Sequence, residues 1–344
     1  MRRTSHSAAG FSLIELMISV AVLGIVTAQL LVVFSNQKKV FTSNERALDT
    51  QEQARLTLDL ISFDTRMAGF MVPRWAAVSS VDGGDDDADR LCVSDASYFD
   101  FSGAPSPLDT KTRPFDGATV TDLQTDRVSV ISLDIDGTAP NTDFLAPSAA
   151  GAGNGGGIII ASPTETFCAR ITQIVGNTIY FEDHGDSLVN HGDATAYIGG
   201  VTPQLRAVPA QIYEVDPVAL ELRRNGLLLA SSIEDLEIEY WLDNSGAPNG
   251  VQDDDDEFPV NTLNNPDPPG GAIPADNSMV RRVRVTVLAR SEREEEQRTA
   301  SGRMLGAGRP ALANRLADPT PDRFRRRSFN ASILPRNLVV MGES

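Results

Sequence analysis

The sequence predicts an α+β fold, in the layout of a long N-terminal helix packed on an antiparallel β-sheet with long loops. Three features carry that prediction: an uninterrupted apolar run near the start, a following stretch free of glycine and proline, and then short strand-like segments separated by turn residues.

From Phe11 to Phe34 the chain reads FSLIELMISVAVLGIVTAQLLVVF, 24 residues with one formal charge, Glu15, and no proline. A helix crosses the hydrocarbon core of a bilayer with roughly 20 apolar residues, so this run is long enough to span one. The polar leader MRRTSHSAAG comes before it. A cleaved secretory signal has the opposite order, with a shorter apolar part and the cleavage site after it, so this apolar helix is expected to survive processing. Arg2 and Arg3 favour a cytoplasmic N-terminus, but Lys38 and Lys39 beyond the run nearly balance them. Orientation rests on the leader rather than on the charge count.

Beyond the bilayer the helix is expected to continue, because Ile25 to Ala68 holds neither glycine nor proline, while Gly69 and Pro73 supply stop signals. One helix from Phe11 to Ala68 would have 58 residues and a length of roughly 87 Å at 1.5 Å per residue. In its outer half Phe41, Leu48, Leu58, Ile61 and Met67 form an apolar stripe among Glu45, Arg46, Glu52, Arg55, Asp59 and Arg66. The expected organisation is a leader at 1–10, a transmembrane half-helix at 11–34, an amphipathic half-helix at 35–69 and a β-rich domain at 70–344.

In that domain the strand-like segments are Arg90–Ser94, Arg127–Leu133, Gly157–Ala161, Thr166–Val175, Thr178–Glu182, Gln211–Asp216, Ala219–Arg224, Leu227–Ala230, Leu236–Leu242, Val280–Ala289 and Arg327–Leu334. Gly176-Asn177 and Asn225-Gly226 predict tight hairpins, and local connections of this kind make antiparallel pairs. Leu236, Ile238, Tyr240 and Leu242 alternate with Glu237, Glu239 and Trp241, and Val283, Val285 and Val287 alternate with Arg282, Arg284 and Thr286. Both segments therefore read as half-buried. The polar stretches 244–277 and 292–322 read as surface loops.

The formal charge is −17, and −19 without the leader. Such a surface repels nucleic acid and anionic lipid and reads as a solvated exterior. Cys92 and Cys168 both follow the apolar run. In an oxidising compartment they could close one loop of about 76 residues; the other reading is two buried thiols on separate strands.

Glu15 is the anomaly, since an ionised carboxylate in hydrocarbon costs about 2.5–3.5 kcal/mol at a helix centre and calls for a partner. Snorkelling to the nearby interface is one answer. The leader suggests another, because AAG followed by FSLIEL resembles the cleavage signal of type IV prepilins. That resemblance implies cleavage between Gly10 and Phe11 by a prepilin peptidase, N-methylation of Phe11, and a mature chain with Glu15 four residues on. It also implies that Glu15 of an incoming subunit pairs with the Phe11 amine of a subunit already in a filament. Three further stretches resemble PilW-type minor pilins: ARLTLDLISFDTRMAGF (54–70), SSIEDLEIEYWLD (231–243) with VRRVRVTVLARS (280–291), and RRRSFNASILPRN (325–337). By that resemblance the partners are other major and minor pilins, the peptidase and methyltransferase, and the inner-membrane assembly platform. The location would be the inner membrane with the domain in the periplasm, then a pilus. A type II secretion pseudopilin fits the same N-terminal motif, and a tip adhesin or calcium-binding display module is a reading of another class.

Catalytic constellations were sought in the sequence. Gly185-Asp186-Ser187-Leu188 spells a lipase-like signature, but no histidine follows His191, so a Ser–His–Asp triad has no base. The run Gly151–Gly157 has no phosphate-loop lysine and precedes a strand. Cys92 and Cys168 lack a zinc-type histidine spacing. No cofactor is expected other than calcium, for which Asp253, Asp255 and Glu257 are the candidate ligands. Asp85, Asp87 and Asp89 alternate as in a calcium loop, yet Arg90 stands where the turn glycine would be, and they read as a solvated loop. The chain is not expected to be an enzyme.

Overall fold

In the computed structural model the apolar run and its extension form one helix, α1, over Leu13–Met67. The structure describes residues 12–69, 72, 74–81, 88–94, 118–124, 127–131, 157–161, 166–175, 178–181, 206–243, 257–260 and 280–291. It also describes 308–336 apart from 313, 314, 316, 319, 321 and 323. The chain divides into two units, 1–49 and 50–344.

In the first unit α1 is the element described. The Ser12 carbonyl accepts the N–H groups of Glu15 at 3.0 Å and Leu16 at 3.2 Å, which satisfies two of the donors a helix start leaves open. Leu13, Leu23, Ile25, Leu31 and Phe34 are all exposed and touch no core of their own. The hydroxyls of Ser19 and Thr27 donate to the carbonyls four residues back, each at 2.8 Å, so these polar groups are satisfied within the helix. Glu15 alone among the described residues of the span carries a charge.

In the second unit the end of α1 packs on strands. Ala54, Leu58 and Ile61 are buried in one cluster with Ile233, Leu236, Ile238, Tyr240, Val283, Val285, Val287 and Ile333. Phe41 and Leu48, expected on that stripe, are exposed, as are Leu56 and Phe63. The correction has a steric cause: the buried face is marked by Ala54, Thr57, Thr65 and Ala68 as much as by large side chains, because small residues let the backbone approach the sheet. Glu45, Arg46, Glu52, Arg55, Asp59 and Arg66 face solvent. Gly69 ends the helix with φ of 75°, the left-handed geometry glycine adopts without strain, and its N–H donates to the Ser94 hydroxyl at 2.9 Å.

The strands make two antiparallel sheets. The smaller one, with order β12-β11-β13-β14, comprises β11 (Ile233–Asp243), β12 (Glu257–Val260), β13 (Val280–Arg290) and β14 (Arg326–Ile333). Leu236, Ile238 and Tyr240 stand opposite Val287, Val285 and Val283, so the apolar residues share the face that receives α1.

The larger sheet holds ten strands: β1 (Val78–Val81), β2 (Arg90–Ser94), β3 (Ala118–Gln124), β4 (Arg127–Ile131), β5 (Gly157–Ala161), β6 (Thr166–Val175), β7 (Thr178–Phe181), β8 (Arg206–Asp216), β9 (Glu221–Arg224) and β10 (Leu227–Ser231). Its order is β1-β2-β8-β3-β4-β7-β6-β5, and β5 also pairs with β8. The six strands β8, β3, β4, β7, β6 and β5 therefore close into a ring, which removes free edges. Gly157 opens β5 where a Cβ would come within 2.7 Å of the Ala210 carbonyl oxygen. Asn225 and Gly226, with φ of 52° and 77°, join β9 to β10 in the tight turn their sequence predicts.

All ten strands of the larger sheet lie in sequence between α1 and β11. A helix-on-four-strand scaffold is thus interrupted by one long insertion. That insertion, 78–231, carries 22 acidic and 8 basic residues, so most of the net charge of −17 belongs to it.

Strands β1, β3 and β12 have no counterpart in the sequence reading. Strand β1 is VSSV with two buried serines, β3 mixes Thr and Asp with single aliphatics, and β12 is four residues containing Pro259. Proline is tolerated in β12 because it is an edge strand. The stretch 292–322 is not only a surface loop: Leu312 and Arg315 are buried and bridge to each other, and Arg309 and Arg315 reach a buried carboxylate.

Candidate assembly site

The site begins at the helix N-terminus. Gly10 and Phe11, the expected cleavage pair, lie outside the described residues. Glu15 is in the first turn of α1, exposed, at the start of a helix whose large side chains from Leu13 onward are apolar and exposed. Leu13–Met67 is, among the described residues, the helix long and apolar enough to cross a membrane. Among the described residues no cation lies near Glu15 along the helix, where the first basic residue is Lys38. Any counter-charge at the level of Glu15 must come from the chain's own N-terminus or from another subunit.

The end of α1 is fastened to the inserted sheet. Tyr213 on β8 donates its hydroxyl to Asp64, and Arg224 on β9 donates to the same carboxylate at 2.6 Å. The Arg224 guanidinium also stands over the Tyr213 ring, 5.9 Å from its centre. Burial and the Asp64 charge push the Tyr213 hydroxyl pKa far up, so it remains a donor. Gln53, about three turns earlier on the same face of α1, accepts from the Ser231 N–H at 3.3 Å and its hydroxyl at 3.0 Å. None of these contacts was readable from spacing, because Asp64 and its partners are 149 and 160 residues apart.

Cys92 on β2 and Cys168 on β6 form a disulfide with Cα atoms 6.2 Å apart. Both are buried in a cluster with Ala76, Ile159, Ala161, Val208, Ala210 and Ile212. The bond staples the β1–β2 ribbon to the outer wall of the closed ring.

Of the calcium candidates, Asp253 and Asp255 lie outside the described residues, and Glu257 opens β12 opposite Asp243. Asp85 and Asp87 are likewise outside the described residues. Asp89 departs from the solvated-loop reading: it is buried, its N–H donates to the Leu236 carbonyl at 2.8 Å, and its carboxylate accepts the Ile238 N–H at 2.7 Å. It satisfies the edge of β11 as a neighbouring strand would. Among the described residues no three His, Cys, Asp or Glu side chains are grouped to hold a metal ion.

Comparison with known proteins adds one match. The family model for the prokaryotic N-terminal methylation motif fits residues 5–28, which contain Gly10, Phe11 and Glu15. No curated protein and no solved structure matches the chain. The matched motif and the apolar helix fit membrane anchoring, processing by a prepilin peptidase and assembly with other pilins, which is the behaviour of a structural subunit. With the long N-terminal helix and the antiparallel sheets behind it, the methylation motif supports a type IV pilin or pseudopilin.

Proposed function

We propose that this chain is a minor pilin of a type IV pilus, cut between Gly10 and Phe11, methylated on Phe11 and built through Glu15 into the complex that primes the filament and remains at its tip. The observation that carries the reading beyond the motif is a convergence. The stretches 54–70, 231–243, 280–291 and 325–337, which resemble PilW-type minor pilins, supply most of the helix-on-sheet core: Ala54, Leu58, Ile61, Leu236, Ile238, Val285, Val287 and Ile333. Segments far apart in sequence thus coincide with one structural scaffold, and the unmatched middle of the chain is the inserted ten-stranded sheet. On this reading the scaffold joins the filament and the insertion is what the tip presents.

A type II secretion pseudopilin would use the same N-terminal chemistry; recovery of the chain in sheared pili separates the two. Processing is tested by Gly10→Ala, which adds a methyl group where the peptidase needs glycine. The variant is expected to run at the uncut size on a gel, and a normal shift to the mature size would refute the cleavage site.

A further inference from the structure

Asp235 and Glu237 sit two residues apart on β11, so they project from the same face of the smaller sheet. They are 0% and 1% exposed, and Asp89, along the edge of the same strand, is 1% exposed. Three carboxylates therefore meet at the junction of the four-stranded sheet, the segment leading into β2, and the segment 309–315. Two cations enter there, and both contact Asp235: Arg315 lies 2.6 Å and Arg309 3.3 Å from its oxygens. The Asp89 carboxylate accepts the Ile238 N–H. Neither Glu237 oxygen receives a hydrogen bond from a donor group, and the group beside it is the Asp235 carboxylate, which can bond to it only through a shared proton. On β13 its register partner is Thr286, which does not titrate, and the next carboxylate on its face, Glu239, pairs with Arg284 at 3.3 Å. An ionised Glu237 would thus be a buried anion beside two others with no donor to receive it, and such a group takes up a proton instead.

We propose that Asp89, Asp235 and Glu237 form a proton-binding lock in which Glu237 is a neutral carboxylic acid in the folded domain, so that acid tightens and alkali loosens the junction it occupies. Charge balance leaves one proton to three carboxylates facing two guanidiniums; burial pushes both Asp235 and Glu237 up, and Arg315 and Arg309 beside Asp235 oppose that rise there, which leaves the proton to Glu237. Burial, then Asp89 and Asp235, push the Glu237 carboxyl up to about 10, with Arg315 opposing. The sign follows by linkage. A carboxyl whose folded pKa is raised binds its proton more tightly in the folded state, so stability is greatest below the unfolded pKa, near 4.5, and declines as pH climbs toward the folded value. Within that window the folding equilibrium constant falls by up to about tenfold per pH unit for the one proton involved. Where the domain faces the medium, as in the reading above, external acid would close the lock.

The test uses the full chain in detergent micelles. Denaturant unfolding is followed between pH 5.5 and 8.5 for the wild type and Glu237→Gln, whose amide is neutral at every pH. The folding constant of the variant relative to the wild type is expected to rise by up to about tenfold per pH unit; parallel profiles would overturn the lock. Infrared spectra decide the case even if the variant folds poorly. The carbonyl band of a neutral carboxylic acid should be present in the folded wild type at pH 7.5, and its absence there would overturn the assignment. A stabilisation by added calcium that depends on Glu237 would also overturn it, in favour of a cation at the same place.

Discussion

A Glu15→Val chain is expected to enter the membrane and lose its leader, yet to be depleted from filaments at least tenfold. The reasoning is a balance of two environments. On α1 the residues flanking Glu15, namely Leu13, Ile14, Leu16 and Met17, are exposed and apolar, and the nearby Ser19 hydroxyl is already bonded to the Glu15 carbonyl, so no cation of this helix meets the carboxylate. A lone carboxylate in the bilayer is penalised by about 2.5–3.5 kcal/mol at full depth and less near the interface. Docking beside a subunit whose Phe11 amine is free converts that penalty into an ion pair in a medium of low dielectric constant. Valine removes the penalty and with it the difference between the two environments, so insertion improves while selective docking is lost. A difference of about 1.4 kcal/mol already corresponds to tenfold. The measurement is the ratio of chain in sheared filaments to chain in membranes, with leader removal read from the same gel. Equal ratios for variant and wild type would remove Glu15 from the mechanism.

Replacing Cys92 and Cys168 together by alanine is expected to give the largest loss of stability of any pair of conservative changes. The bond joins residues 76 apart in sequence. In the chain-entropy account a loop of that length contributes about 4 kcal/mol by restricting the unfolded chain. It also joins the β1–β2 ribbon, which pairs with the rest of its sheet through β8, to β6, a strand with which the ribbon makes no pairing. For a domain of this size about 4 kcal/mol corresponds to a Tm lower by roughly 10 °C. Thermal melting of the double variant, and of the wild type with reductant, should agree. A Tm within a degree or two of the oxidised wild type would mean that the surrounding apolar cluster holds the ribbon without the bond.

How much of this was legible in the sequence depends on the range of the signal. The apolar helix, described from Leu13, the glycine stop at residue 69, the Asn225-Gly226 turn and strands such as Gly157–Ala161 and Thr166–Val175 are local patterns, and each is found where the residues place it. The residues proposed for processing and assembly form an equally local pattern, since Gly10, Phe11 and Glu15 lie within six positions of one another and inside the matched methylation motif. What the sequence hid is of two kinds. On the apolar stripe of α1, Leu58 and Ile61 are buried where their spacing places them and Phe41 and Leu48 are exposed, while Ala54, Thr65 and Ala68, small residues without a hydrophobic signal of their own, mark the closest approach of helix to sheet. The other kind is long-range charge pairing. Asp235 and Glu237 look like the wet face of a half-buried strand until Arg309 and Arg315 return from 74 and 80 residues away to cover it. Asp89 likewise looks like one more acid in a solvated loop until its backbone and carboxylate close the edge of β11. A polar strand face with an unusual density of carboxylates, followed by arginines in a stretch that otherwise reads as loop, is the signal that could have found this pairing.

The most direct test is the mass of the N-terminal peptide of the chain recovered from purified filaments. A peptide that begins at Phe11 and carries one added methyl group is the predicted result, and a filament-borne chain that still retains residues 1–10 would contradict it.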